Sequence, residues 1–315
     1  MKKQYANLML VFVTIIWGGG FLATNGALAA ISPFYVMMIR FVGAAIFPVC
    51  FCWKKLRQLS KDEIRHGIIT GVFLFLAFAF QTFGLKYSSP SKNAFLTATN
   101  VVFVPYLLWL LFHRRPHKKE IIASLLCVGG IALLTLRVDA FMIGFGDLLS
   151  IICALFFALH IIALERYSAH TDAFCMTAMQ MVTAGVLSTI CALAFEKAPA
   201  TLGLEALGNV GYLIFISTLL AYLLQTYAQK YTTANTASLI LSMEALFASI
   251  FSFLILHEMM TLPMLVGACM IFGSHILHPS KYRVPKLHLQ RSQHGYGAPK
   301  ENRWTYVTTI MSLMI

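Results

Sequence analysis

Glu244 is the residue of this sequence best placed for chemistry in an apolar environment. It lies about twelve residues into an apolar run at 233–256, which corresponds to roughly 18 Å of helix rise. An ionised carboxylate at that depth of a membrane is costly, so we expect it to be protonated, paired or open to a watery cavity. The functional hypothesis is a proton-coupling site or a site for a substrate amine. The alternative is an anchor that hydrogen-bonds a neighbouring helix.

Four further polar residues lie within apolar runs and are candidates to join Glu244. Asn100 precedes it by 144 residues, at a matching depth. Arg40 is a candidate to bind an anionic group or to pair with Glu244, although the sequence favours a side chain that extends to the outer membrane interface or caps helix ends. Gln81 and Gln225 occupy matched places in two other runs. They either line a cavity or join helices by hydrogen bonds, and the packing role is favoured.

Aromatic and imidazole side chains complete the candidates. Trp17 precedes Gly18, Gly19 and Gly20, which let helices approach closely, so a packing seam or hinge is favoured there. For His160 the hypotheses are a proton relay and hydrogen-bonded packing, of which packing is favoured. A cavity wall is the hypothesis for a set of aromatic residues within the runs, namely Phe78, Phe80, Phe83, Tyr106, Trp109, Phe156 and Tyr227.

No metal site and no cofactor are expected. His257 and Glu258 begin a zinc HExxH pattern, but the second histidine is missing. The seven cysteines form no CxxC pair, and each lies in or beside an apolar run, so we interpret them as packing residues. A P-loop for nucleotide binding is also missing, which argues against an ATP-driven pump.

Membrane helices are the elements that must position these residues. Of 315 residues, 59% are hydrophobic and 11% charged, against about 25% charged in soluble domains. This composition excludes a disordered chain, a secreted disulfide scaffold and a nucleic-acid-binding domain. A membrane helix needs about 20 mostly apolar residues. Without the alternation of barrel strands, the runs predict ten such helices at 8–28, 34–52, 67–85, 93–112, 120–136, 144–164, 173–194, 208–228, 233–256 and 262–278.

Basic residues predict the orientation of these helices. If both termini are cytoplasmic, 19 of the 24 lysines and arginines fall in inside segments and four in outside segments, as the positive-inside rule requires. The first run follows Lys2 and Lys3 and has the length of a span rather than of a signal peptide. Residues 281–315 are expected to form a basic cytoplasmic tail, either lying on the inner membrane surface or disordered.

An internal repeat divides the chain into two halves. Residues 81–89 (QTFGLKYSS) recur without a gap as 225–233 (QTYAQKYTT), at an offset of 144. The predicted units are therefore 1–139 and 140–280, each with five helices. An odd number of spans inserts the second unit from the opposite side, so the repeats are inverted and the solute site lies near the midplane. The predicted fold is an all-α integral membrane protein with ten transmembrane helices in two inverted five-helix repeats.

The order and spacing of several short motifs resemble a known family. The chain resembles the EamA-like proteins of the drug/metabolite transporter superfamily at 16–21 (IWGGGF), 39–41 (IRF), 84–96 (GLKYSSPSKNAFL), 225–231 (QTYAQKY) and 242–247 (SMEALF). The resemblance implies ten helices in two inverted repeats and the carriage of small organic solutes, often as efflux. The family usually has proline where this chain has Ala245 and glycine where it has His257. The Ala245 departure predicts a straighter ninth helix.

These observations predict a secondary transporter of small organic metabolites or drugs, an exporter across the cytoplasmic membrane that works by alternating access. Its expected partners are the small-molecule substrate and the lipid bilayer, with protons as the candidate coupling ion. Nucleic acid is not an expected partner, and both a monomer and a homodimer remain open. One alternative is an intramembrane enzyme that acts on a lipid or lipid-linked substrate, which would need paired acids or an activated nucleophile within the spans. The other is a structural or regulatory membrane subunit.

Overall fold

The structure, a computed structural model, describes residues 3–135, 144–169, 171–199, 203–256 and 261–277. All the regular elements in these ranges are helices. The helices are α1 (Lys3–Leu28), α2 (Pro33–Leu56), α3 (Lys61–Lys86), α4 (Pro90–Ala98), α5 (Asn100–Phe112), α6 (Lys118–Thr135), α7 (Phe145–Tyr167), α8 (Ala173–Phe195), α9 (Leu204–Tyr212), a π-helical segment (Leu213–Leu220), α10 (Ala221–Gln229), α11 (Ala234–Leu241), α12 (Glu244–Leu256) and α13 (Leu262–Leu277).

Eight stretches are long and apolar enough to cross a membrane. They are Lys3–Leu28, Pro33–Leu56, Lys61–Lys86, Lys92–Phe112, Phe145–Tyr167, Ala173–Phe195, Leu204–Gln229 and Ala234–Phe251. The predicted multi-pass, all-helical membrane protein is therefore confirmed for the described residues. The fifth and tenth predicted spans do form helices, but α6 opens with three charged residues and α13 has only 16 residues. Ten spans therefore stay a prediction.

Helices α2 and α8 form an antiparallel pair with polar contacts at both ends. At one end Lys55 Nζ lies 2.9 Å from the carboxylate of Asp172. At the other end the backbone N–H groups of Phe34 and Tyr35 donate to the carboxylate of Glu196, at 3.2 and 3.1 Å. This carboxylate supplies acceptors for the free N–H groups at the start of α2. We call the end with Lys55, where α1 also begins, the N-terminal side of the bundle, and the other end the opposite side.

Two of the membrane stretches are broken near their middle. Helix α4 ends before Thr99, and helix α11 ends before Ser242 and Met243. The Thr99 and Ser242 hydroxyls donate to the carbonyls of Leu96 and Leu239. Such local bonds compete with continuation of the helical ladder. The expectation of a straighter ninth helix, based on Ala245, is wrong, because the break lies before that residue and needs no proline.

A large buried apolar cluster brings five helices together on the N-terminal side of these breaks. It contains Leu10 and Val13 of α1, Leu108 of α5, Ala228 of α10 and Ala237 of α11, together with residues of α7. Leu108 lies eight residues beyond the break in α4–α5, which is about 12 Å along the helix. The cluster therefore closes the N-terminal half of the space between these helices.

Candidate functional site

The described helices enclose a cavity at the level of the two breaks. Its empty space, including the mouth, is about 580 Å³. The lining has a polar set, Thr24, Arg40, Gln81, Asn100, Ser217, Tyr222, Gln225 and Glu244, and an apolar set, Trp17, Gly20, Phe21, Phe78, Leu85, Phe157, Ile161 and Leu241. Thr24 and Leu85 lie near the ends of α1 and α3 on the opposite side. The cavity therefore extends from the middle of the bundle towards the opposite side.

Glu244 and Asn100 reach this cavity because each is the first residue after a helix break. Glu244 opens α12 and Asn100 opens α5, and both side chains are more than 90% buried. The N-terminus of a helix carries partial positive charge and free N–H groups, which favour negative groups nearby. The Asn100 amide donates to the carbonyl of Thr97 at 3.1 Å. Its Oδ1 has no hydrogen-bond partner within the described part of the chain.

Arg40 is held against the cavity wall from two directions. Its Nε donates to Thr218 Oγ1 at 3.0 Å, its Nη2 donates to Ser217 Oγ at 3.5 Å, and its guanidinium lies 4.3 Å from the centre of the Phe78 ring. Only 3% of the residue is exposed. The favoured sequence interpretation, a side chain that extends to the interface or caps helix ends, is wrong, because the guanidinium is buried and donates to side-chain hydroxyls. Hydroxyl acceptors and an aromatic face stabilise the cation inside the bundle. Among the described residues, Arg40 and Glu244 form no ion pair within 4.0 Å.

The hydroxyl groups that hold Arg40 come from the π-helical segment. Ser217 and Thr218 lie in its centre, between α9 and α10. The carbonyl of Ser217 also accepts a hydrogen bond from Trp17 Nε1 at 3.0 Å. Segments of π-helix within membrane helices are often found at functional sites. Through these hydrogen bonds the π-helical segment contacts both Trp17 of α1 and Arg40 of α2 at the cavity wall.

Four aromatic rings form one connected wall. The Tyr222 ring centre lies 5.1 Å from that of Trp17 and 6.0 Å from that of Phe78, which is 5.4 Å from Phe157. Trp17, Phe78, Phe157 and Tyr222 all line the cavity. Their faces and edges offer a surface for an apolar or cationic group.

Gln81 and Gln225 both line the cavity, although the sequence favoured packing for each. Gln81 Nε2 donates to Thr97 Oγ1 at a long 3.4 Å. Gln225 is 1% exposed, and its Oε1 has no hydrogen-bond partner in the described ranges. The two amides therefore have capacity left to bind a polar molecule.

Seven sequence candidates are not part of the cavity lining, namely His160, Tyr227, Phe80, Phe83, Tyr106, Trp109 and Phe156. Tyr227 is 39% exposed and its ring is 5.7 Å from that of Tyr231. His160 is fully buried, and its ring shares a hydrogen bond of 2.9 Å with Gln180, whose Nε2 donates to Thr226. These hydrogen bonds correspond to the packing role, rather than the proton relay, among the two hypotheses for His160. The HExxH-like residues at 257–260 and the tail at 281–315 lie outside the described residues.

Sequence reasoning missed Tyr222, Ser217 and Thr218. Tyr222 precedes Gln225 by three residues, which places both on one helix face, and this spacing could have identified it. The hydroxyl pair at 217–218 within an apolar run was a second available signal. Within the described lining there is one carboxylate, with no histidine or cysteine, a donor set unlike that of a zinc site.

Together, the apolar helices and the enclosed polar cavity define a multi-pass membrane protein of the transporter class. The model of the EamA-like transporter family matches residues 4–136 and again 144–278. An uncharacterized transporter of Archaeoglobus fulgidus is 31% identical over 277 residues, covering 88% of this chain and 86% of the relative. The chain belongs to the EamA-like transporter family.

Further comparisons agree with this assignment. The uncharacterized transporter YoaV of Bacillus subtilis is 23% identical, covering 84% of this chain and 93% of its own. One crystal structure superimposes with a TM-score of 0.73 at 17% identity, covering 88% of this chain and 96% of that chain. This likeness concerns the fold alone.

Proposed function

We propose that this protein is a secondary transporter that exports small organic metabolites or drugs across the cytoplasmic membrane by alternating access. The observation that carries the proposal is the cavity at the two helix breaks, where Glu244, Asn100 and Arg40 meet a wall of aromatic rings. Broken helices at mid-depth, with half-helix N-termini facing a solute, are a recurrent way to build a transport site.

The transport cycle follows from ten spans in two inverted repeats, 1–139 and 140–280. The helix breaks at Thr99 and Met243 are 144 residues apart, as the sequence repeat is. Ser88 donates to Asp147 at 2.8 Å on the opposite side. Thr232, its counterpart at the offset of 144, donates to Asn7 at 3.3 Å on the N-terminal side. Equivalent contacts on both sides support two packings of similar energy.

Helices α6 and α13 complete the proposed set of ten. They pack closely, since a Cβ placed on Gly130 would meet the Gly267 carbonyl oxygen at 2.6 Å, and they run antiparallel, since Gly273 faces Leu126. The pair holds the same place in each half, as the last helix before residue 139 and before residue 280. A charged first turn on α6 is compatible with a span whose end lies at the interface.

The positive-inside pattern supports cytoplasmic termini and so gives the cavity a direction. The N-terminal side would be cytoplasmic, where the cluster with Leu10 and Leu108 closes the path. The side towards Thr24 and Leu85 would face out. This arrangement is the outward-facing state, and the inward-facing state requires the apolar cluster to separate.

The lining favours a substrate with both charged and apolar parts. Arg40 offers a site for an anionic group and Glu244 a site for an amine, while the rings of Trp17 and Tyr222 accept an apolar body. The space, at most about 580 Å³ with its mouth included, excludes a macromolecule. A protonated Glu244 would release the amine, so the same carboxyl can couple transport to protons.

The intramembrane enzyme is less well supported by this lining. Hydrolysis needs a nucleophile next to a base, or paired acids. The hydroxyl of Ser217 instead accepts from Arg40, and the described lining holds one carboxylate. The relatives from Archaeoglobus fulgidus and Bacillus subtilis are also named as uncharacterized transporters.

Counterflow in proteoliposomes tests the proposal. Vesicles loaded with unlabelled amino acids, purines, sugars or amphipathic cations are diluted into the labelled solute, and uptake is compared with that of protein-free vesicles. Gln225→Ala, in the cavity, should lower the rate, whereas Gln58→Ala, on an exposed residue, should not. Equal exchange rates in the two variants and the wild type would mean that the solute does not pass through the cavity. Absence of exchange with every class of solute would contradict the proposed transport function.

A further inference from the structure

We propose that Cys52, Cys175 and Asp172 form a binding site for one thiophilic divalent cation of the Zn²⁺ class. The site lies between α2 and α8 on the N-terminal side of the bundle, away from the cavity. The two thiol sulfurs and a carboxylate oxygen lie within 4.8 Å of one another. Cys52 lies 120 positions before Asp172, and Asp172 precedes Cys175 by three residues, so no known zinc spacing motif indicates the site.

The donor set suits Zn²⁺ in kind and in geometry. Zinc binds thiolate at about 2.3 Å and carboxylate at about 2.0–2.2 Å in a tetrahedron. Two sulfurs of such a tetrahedron are about 3.8 Å apart, so donors within 4.8 Å need to move inward by about 1 Å. Cys52 and Cys175 are both buried and hydrogen-bonded to each other. They form the inner wall of the site.

Asp172 is fixed in place by the start of α8. Its Oδ1 accepts from the backbone N–H of Phe174 at 2.9 Å and of Cys175 at 3.4 Å. Its Oδ2 accepts from Lys55 Nζ at 2.9 Å, so a cation has to displace this lysine. Burial alone would raise the pKa of Asp172, but the hydrogen bonds from Lys55 and from these backbone groups lower it overall. The carboxylate is therefore ionised at neutral pH.

The surroundings provide access and balance of charge. The Asp172 side chain is 38% exposed, so water can approach and fill a fourth position. Lys55, 65% exposed at its side chain, can swing away from Oδ2 and stay near. Two thiolates and one carboxylate with a divalent cation leave a single negative charge, which Lys55 neutralises. Binding releases the two thiol protons to solvent.

Ligation would join the N-terminal-side ends of α2 and α8. Lys55 and Asp172 already meet there across 2.9 Å, and a metal would replace that exposed contact with bonds to three side chains. In an alternating-access cycle such a clamp would favour the state in which this side is closed. That consequence alone rests on the proposed function, and binding of the metal does not.

Metal titration of the purified full-length protein tests the site. The protein carries a tag without histidines, is kept reduced, and is titrated with Zn²⁺ by calorimetry. Cd²⁺ is used in parallel, because thiolate ligation gives a charge-transfer absorption band. We expect one equivalent of either metal, with the band. Cys52→Ser and Cys175→Ser should each weaken binding by more than about tenfold and remove the band. Cys50→Ser, an exposed cysteine of the same helix, should change neither.

Two results would overturn the site. A wild-type protein that shows no thiolate band with Cd²⁺ contradicts it, whether or not the variants fold. Equal stoichiometry and affinity in the wild type and both cysteine variants would assign the metal to other ligands. A monodisperse profile of each variant in detergent shows that lost binding does not reflect lost folding.

Discussion

Asn100 and Glu244 each open the second half of a broken helix, lie 144 residues apart, and line the same cavity. The breaks direct two half-helix N-termini towards this cavity. The two residues occupy equivalent positions in the repeat and differ in charge. One repeat position therefore carries a neutral amide and the other an ionisable carboxyl. That asymmetry leads to the first prediction.

Replacing Glu244 by glutamine is expected to uncouple transport from protons. Glutamine resembles the protonated acid, so exchange of solute should persist while accumulation driven by a pH gradient is lost. The measurement is uptake in proteoliposomes with and without an imposed gradient, together with a pH-sensitive dye inside. Glu205→Gln, on an exposed residue at the start of α9, is the control. Gradient-driven uptake by Glu244→Gln at the wild-type rate would end the proton role.

Thr218→Val is expected to weaken substrate binding through Arg40. The change keeps the shape of the side chain and removes the 3.0 Å acceptor of Arg40 Nε. Hydrogen bonds to charged groups contribute about 1.5–3 kcal/mol, so the apparent affinity for a solute with an anionic group should fall about tenfold or more. Concentration-dependent counterflow measures it.

A solute without an anionic group provides the comparison for that variant. If Arg40 binds the anionic group, Thr218→Val should leave the affinity for such a solute near the wild-type value. An equal loss for both solutes would mean that the variant deforms the whole cavity rather than the site of the anion.

The sequence predicted the membrane helices well because the apolar runs need only composition and length. It also predicted Glu244, Asn100 and both glutamines as polar groups at depth, since a polar residue in such a run is conspicuous. The packing role favoured for His160 agrees with the structure, but neither its partner nor the place of Arg40 could be predicted in this way. The surroundings of Arg40 and His160 depend on Thr218 and Gln180, which lie 178 and 20 residues away, and only the fold brings these partners together.

The breaks in the fourth and ninth apolar runs could not be predicted from the sequence for a different reason. We expected a proline to mark a break, whereas hydroxyl groups of Thr99 and Ser242 bond to carbonyls three residues earlier. Serine and threonine occur in many unbroken membrane helices, where they bond to a carbonyl three or four residues back, as Thr14 does in α1 and Thr70 in α3. The residue type therefore does not decide between a break and a straight helix.

Gly18→Ala is expected to destabilise the protein, while Gly211→Ala is not. A Cβ on Gly18 would lie 2.7 Å from Phe247 Cβ and 2.8 Å from backbone atoms of α12, and backbone cannot give way cheaply. A Cβ on Gly211 meets nothing within 4 Å, so alanine there should gain up to about 1 kcal/mol of helix propensity. Thermal unfolding in detergent measures both, and a Gly18→Ala midpoint at or above the wild-type value would contradict the close seam between α1 and α12.

Trp17 is expected to report substrate binding through its fluorescence. Its indole lies in the cavity wall, with Nε1 bonded to the Ser217 carbonyl and the ring 5.1 Å from Tyr222. A solute in the cavity changes the polarity around this ring, so saturable emission changes should follow its addition. Trp17→Phe should remove the response, and Trp109→Phe, on a residue 47% exposed, should retain it. A response that survives in Trp17→Phe would locate binding outside the aromatic wall.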